Sequence, residues 1–190
     1  FIMSKVSNAN RALALVGANK ITNLSDETEE AKAINNMYEE SLRSILSECC
    51  WNFAAKRAML NMLTVSPVWG GGNYFQLPAD CIRIFDATAD YDIEGDRLRT
   101  TDKEIGILYT YLQDDDKRWL PAFRDAFCCR LAYDVCFDLT NSSSKQNELL
   151  ELYHSHLLPI AKSMNARDGL QKFAKDDAWI KSIYQDGREL

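Results

Sequence analysis

The strongest constraint on the fold is a change of hydrophobic period at Trp51 and its reversal at Pro121. Before Trp51, Ala31, Ile34, Tyr38, Leu42, Ile45 and Cys49 recur at three- and four-residue intervals, the spacing of one helical face. Lys32, Asn35, Glu39, Arg43 and Ser47 occupy the opposite side. Ser25 or Asp26 is placed to cap this helix, and Asp26, Glu27, Glu29 and Glu30 fall in its first turn, where the helix dipole favours anions. The pattern predicts an amphipathic helix of about 25 residues, roughly 37 Å long. A shorter helix is predicted from about Ser7 to Val16, with Ala9, Ala12, Leu13 and Val16 on one face and Gly17 as its C-cap.

Between the two period changes the chain reads as short strands: Ala58 to Val65, Tyr74 to Leu77, Cys81 to Ala87, Tyr91 to Glu94, Arg97 to Thr100 and Ile105 to Leu112. Pro67, Gly70–Gly71–Gly72, Pro78 and Gly95–Asp96 punctuate them. Gly95–Asp96 is a two-residue hairpin signal, because Gly accepts the positive φ that a type II′ turn requires. Strands this short need another layer to pack on.

Helical spacing returns at Pro121, a residue suited to a first turn. Phe123, Phe127, Leu131, Val135 and Leu139 form a ladder that Ala126, Cys128, Ala132 and Cys136 widen, so this helix is expected to contact more than one neighbour. Ser143 with Gln146 reads as a capping box for a further helix along Leu149, Tyr153, Leu157, Ile160 and Met164. Pro159 lies inside it, and its ring predicts a kink near Ser155. The fold expected is mainly α. Residues 1–57 and 119–168 form an antiparallel helical bundle, 58–118 a small β insertion, and 169–190 a C-terminal arm (α+β).

Composition decides between broad classes. With 190 residues, one domain can bury roughly 70% of its unfolded surface. At 46% apolar and 26% charged residues, the chain has the balance of a globular protein. A net charge of −6 and a pI near 5.0 argue against a general nucleic-acid binder. No apolar run approaches the roughly 20 residues of a membrane span, and Phe1–Ile2–Met3 does not begin a secretory signal. The six cysteines include two adjacent pairs, Cys49–Cys50 and Cys128–Cys129, and no Cys-x-x-Cys. They read as reduced, buried small apolar residues.

Candidate chemistry is sparse. His154 and His156 stand two apart, about 200° around a helix, and cannot share a metal ion from that element. Gly70–Gly71–Gly72 lacks the Lys-Ser/Thr and helix start of a phosphate loop and reads as a loop tip. Asp114–Asp115–Asp116 reads as a solvated run. No metal, cofactor or catalytic set is therefore expected, and the chain is read as a non-enzyme. Phe173, Trp179, Ile180 and Tyr184 lie in a polar terminal segment with Lys172, Lys175, Asp176, Asp177 and Lys181. One reading folds this segment back on its own domain. The favoured one makes it an arm whose four apolar anchors dock on another chain.

In order, the chain carries Trp51–Asn52–Phe53–Ala54, Leu77–Pro78–Ala79–Asp80–Cys81–Ile82–Arg83 and Glu94–Gly95–Asp96–Arg97–Leu98. Ala126, Arg130–Leu131–Ala132 and Leu139–Thr140 follow. This succession resembles the head-to-tail adaptors of short-tailed phages, of the tail tubular protein A type, over about Ala12 to Trp179. The resemblance implies a structural virion protein made in the host cytoplasm. It would form a homo-oligomer, a twelve-copy ring beneath the portal protein, dock the tail nozzle protein, and extend the channel for double-stranded DNA without binding it specifically. The arm anchors Phe173, Trp179, Ile180 and Tyr184 would then touch the portal or a neighbouring subunit. Two alternatives stay open: a connector or stopper of a long-tailed phage, and a virion-associated hydrolase using an unseen pair of carboxylates.

Overall fold

The computed structural model describes residues 5–168. Helix α1 (Lys5–Val16) buries Ala9, Ala12, Leu13 and Val16, the face its spacing predicts. Helix α2 (Glu29–Leu46) has 18 residues rather than about 25. Its cap is Thr28, which accepts from the Ala31 amide at 3.2 Å. The Asp26 carboxylate instead accepts from the amides of Thr22 and Asn23, each at 2.9 Å, and closes a turn ahead of the helix. Asx residues compete for local amides in this way, so the acidic signal began before the helix did.

Helix α3 (Pro121–Thr140) is the hub, packed against α1, α2 and α4 (Ser143–Leu152). Its buried set includes Phe123, Phe127, Leu131, Val135 and three cysteines, Cys128, Cys129 and Cys136. The chain turns at Asn141 with φ +50, a left-handed position Asn tolerates. The expected capping box is displaced. Ser142, not Ser143, caps α4 through the Lys145 amide, and Gln146 donates its side-chain amide to the Tyr133 carbonyl. The disturbance expected near Ser155 is a π-turn over Tyr153–Leu157, where the Leu158 amide reaches back to the Tyr153 carbonyl. Widening the helix there accommodates the ring of Pro159, and helix continues over 158–168.

Six strands fill the middle of the chain. Strands β1 (Ala55–Met59), β6 (Gly106–Tyr111) and β3 (Cys81–Ala87) form one antiparallel sheet in the order β1-β6-β3. Strands β2 (Asn73–Gln76), β5 (Arg97–Thr100) and β4 (Asp92–Glu94) form a second, in the order β2-β5-β4. The two sheets share a core of Phe75, Ile84, Leu98, Ile105, Ile107 and Tyr109, while Ile82 and Leu112 pack against the helical core. The predicted strand from Ala58 to Val65 is overturned: pairing ends at Met59, and beyond it only Met62 bridges, to Phe75.

The expectation of a mainly α bundle with a small insertion is also overturned. The fold is α+β, with 50% of the described residues helical, 18% in strands and two three-stranded sheets. The reason is non-local pairing. β1 pairs with β6 across the full length of the middle segment, so these strands close a two-sheet unit with its own core.

Candidate functional site

The joint between helices and sheets is built by the first of the quoted motifs. Trp51 is fully buried, and its indole N–H donates to the Ile45 carbonyl at 2.9 Å. Its ring meets Phe123 edge to face at 4.8 Å, and Phe53 and Trp119 meet the same Phe123 at 4.8 and 5.2 Å. Beside this aromatic cluster, Asn52 donates its amide to Asn165 Oδ1 (2.8 Å) and its side-chain amide to the Asn165 carbonyl (2.7 Å). Asn165 in turn donates Nδ2 to the Cys50 carbonyl at 2.9 Å. These three bonds, with the Lys162–Glu48 pair at 3.1 Å, tie the last described helix to the joint, a few residues before 169.

The other motifs also lie at joints. In Leu77–Pro78–Ala79–Asp80, Asp80 pairs with Lys56 of β1 at 2.6 Å and accepts from the Tyr109 hydroxyl of β6 at 3.2 Å. The hydrogen bond from Lys56 is the main reason its carboxyl sits below the usual value. The Lys56 ammonium lies 3.7 Å from the centroid of the Tyr111 ring, a cation–π contact that helps hold it. In Glu94–Gly95–Asp96, Gly95 makes the two-residue turn with φ +66. Glu94 accepts from the Tyr74 hydroxyl at 2.5 Å, and Arg99 pairs with Asp92 at 2.6 Å.

Several groups able to do chemistry are engaged in the frame. All six cysteines are free thiols, three buried and three half-buried, which corrects the expectation that all are buried. Burial pushes the Cys128 thiol up to about 12 and that of Cys129 to about 11, which disfavours the thiolate a nucleophile needs. The acidic run is not simply solvated. Asp114 pairs with Lys5 at 3.3 Å, Asp115 caps a short turn at the Lys117 amide, and Asp116 is buried, accepting from Asn8 at 3.2 Å. Asn8 also reaches the Tyr38 hydroxyl at 3.4 Å, and desolvation pushes that phenol up to about 12. His154 and His156 are both exposed on the π-turn. Among the described residues no three His, Cys, Asp or Glu stand together to hold a metal ion, and no helix is long and apolar enough to cross a membrane.

Of the predicted partner contacts, Phe173, Trp179, Ile180 and Tyr184 all lie outside the described residues. A different apolar surface emerges on the loop from β1 to β2. Met59 at the end of β1 and Met62, Val65, Val68 and Trp69 beyond it are exposed, Val68 at 99% and Trp69 at 84%. A side chain of this size left in water forgoes about 1.5–3 kcal/mol of burial. The sequence carries a signal for it: from Ala58 to Ala79 no Asp, Glu, Lys or Arg occurs, in a chain that is 26% charged. The tip is set by Gly70, Gly71 and Gly72 at φ +85, +69 and +91. A Cβ on Gly72 would stand 2.8 Å from the Thr100 carbonyl oxygen, so the loop runs tight against β5. Singly exposed apolar residues are ordinary on protein surfaces; five within eleven residues suggest a contact surface.

No family model matches the sequence, and none of the curated proteins matches it.

Proposed function

We propose that the protein is a ring-forming structural adaptor of a phage virion, joining a portal ring to the tail and extending the DNA channel. The observation that carries this reading is where the adaptor-like motifs fall. Trp51 and Asn52 fix the helix–sheet joint, Asp80 ties the start of β3 to β1 and β6, and Gly95–Asp96 turns the hairpin. These are positions that set the shape of a subunit, as an assembly component needs, and none of them presents a nucleophile or a general base to a cleft. The acidic chain also suits a channel wall that must let DNA slide, because its 28 Asp and Glu outnumber its 22 Lys and Arg and a net negative wall repels phosphates.

Native mass spectrometry of the purified protein with and without a cognate portal ring tests the reading. The expected result is a multi-copy ring on the portal. A protein that leaves the portal bare at high excess overturns it.

A further inference from the structure

The uncharged loop and a groove beside its root form a knob and a hole on one chain. The groove, about 450 Å³, lies across the ends of β1, β3 and β6 and is lined by Ala58, Met59, Ala87, Thr88, Ile107 and Leu108. That volume falls within the range of about 300–1,000 Å³ typical of sites that take bulky apolar groups. Trp69, 84% exposed, does not fill the groove of its own chain.

We infer that the loop carrying Val68 and Trp69 docks into this groove on a second copy of the chain, making the head-to-tail contact between subunits.

Charge selects the occupant. Two copies at −6 each repel, so they approach most readily where acidic residues are missing. The stretch 58–79 carries no charge at all, and among the described residues Arg57 and Asp86 are the only charged ones lining the groove. A lipid surface fits less well. Segments that lie on membranes combine aromatic residues with Lys or Arg to meet anionic headgroups, and this stretch has neither cation. Area agrees. The four exposed apolar side chains of the loop, Met62, Val65, Val68 and Trp69, present several hundred Å², a large part of the about 800 Å² that each partner contributes to a standard interface. Knob and hole are different surfaces, so the contact is heterologous and closes into a ring where its rotation permits. The inference rests on the ring-forming reading above and names its subunit contact.

Sedimentation velocity of the full chain from about 1 μM to 1 mM, alongside Trp69→Ala, tests the energetics. The wild type associates with rising concentration, and Trp69→Ala raises the dissociation constant at least tenfold with an unchanged circular dichroism spectrum. A photo-reactive benzoyl-phenylalanine at position 69, in a mixture of isotopically light and heavy copies, tests the site. The cross-link is expected between chains, at 57–59, 86–88 or 106–108. A wild type monomeric throughout, a Trp69→Ala variant that associates unchanged, or cross-links elsewhere overturn the contact. So does Trp69-dependent binding to phosphatidylcholine vesicles without self-association, which makes the loop a membrane contact. The two readings fail separately. Complete Trp69→Ala rings on a portal remove this contact and leave the adaptor reading, whereas association through Trp69 with a bare portal does the reverse.

Discussion

Trp51 and Asn165 carry different kinds of energy at the same joint. Trp51 contributes buried apolar area and one hydrogen bond to the Ile45 carbonyl, so Trp51→Ala leaves a cavity between α2, α3 and the sheets. The expected cost is about 3–5 kcal/mol. That lowers the thermal midpoint by roughly 10 °C, and an unchanged midpoint removes Trp51 from the core. Asn165 contributes no comparable area; it satisfies the Asn52 amide and the Cys50 carbonyl. Asn165→Ala strands both groups, at an expected cost of about 1–3 kcal/mol in chemical denaturation. Asp80 gives a third signature, in pH. Its carboxyl is held below the ordinary value of 3.8, so its stabilising effect is full above 3.8 and fades as pH falls through the lower folded value. The half-exposed pair with Lys56 is worth under about 1 kcal/mol. The midpoint difference between wild type and Asp80→Asn is therefore expected in full at pH 6 and to shrink as pH falls below 3.8. A difference independent of pH would show that Asp80 acts by packing.

At the scale of elements, the Gly70–Gly72 run separates two kinds of constraint. All three glycines have positive φ, but only Gly72 also abuts backbone, at the Thr100 carbonyl. Gly71 has open space around the added atom. Gly72→Ala is thus expected to destabilise by more than Gly71→Ala, which bears the left-handed cost alone, about 1–2 kcal/mol. Equal losses in urea titrations would mean that the loop moves away from β5 freely. The same loop shows what local sequence can carry. Turn residues announced the hairpin at Gly95 and the breaks between strands, because φ is a property of single residues. The β1–β6 pairing was not announced, since register between distant segments is settled by which faces share a core. The early start assigned to α2 has a similar cause: Asp26 is an equally good helix cap and turn former, and its bonds to Thr22 and Asn23 decide between them. The contact surface was legible only as a missing signal, the uncharged stretch 58–79. Its exposure depends on pairing that ends at Met59.

At the scale of the whole molecule, the described residues hold two separate cores. The helical core runs from Ala9 to Ala161, and the sheets hold their own smaller one. Among the described residues, both cores and the Asn165 clamp that closes the last helix onto the joint are built from 5–168 alone. Removing 169–190 leaves all of these partners in the chain. The truncated chain is expected to keep its circular dichroism spectrum and to melt within a few degrees of the full chain. On the adaptor reading it loses at least tenfold in affinity for a portal ring, because Phe173, Trp179, Ile180 and Tyr184 are gone. Self-association through Trp69, if measured in parallel, is expected to survive the truncation, since loop and groove both lie within 57–108. The pair of readouts assigns each surface one partner. A truncation that unfolds the chain would place the terminal residues in the core. One that docks at full affinity would transfer portal binding to the folded body.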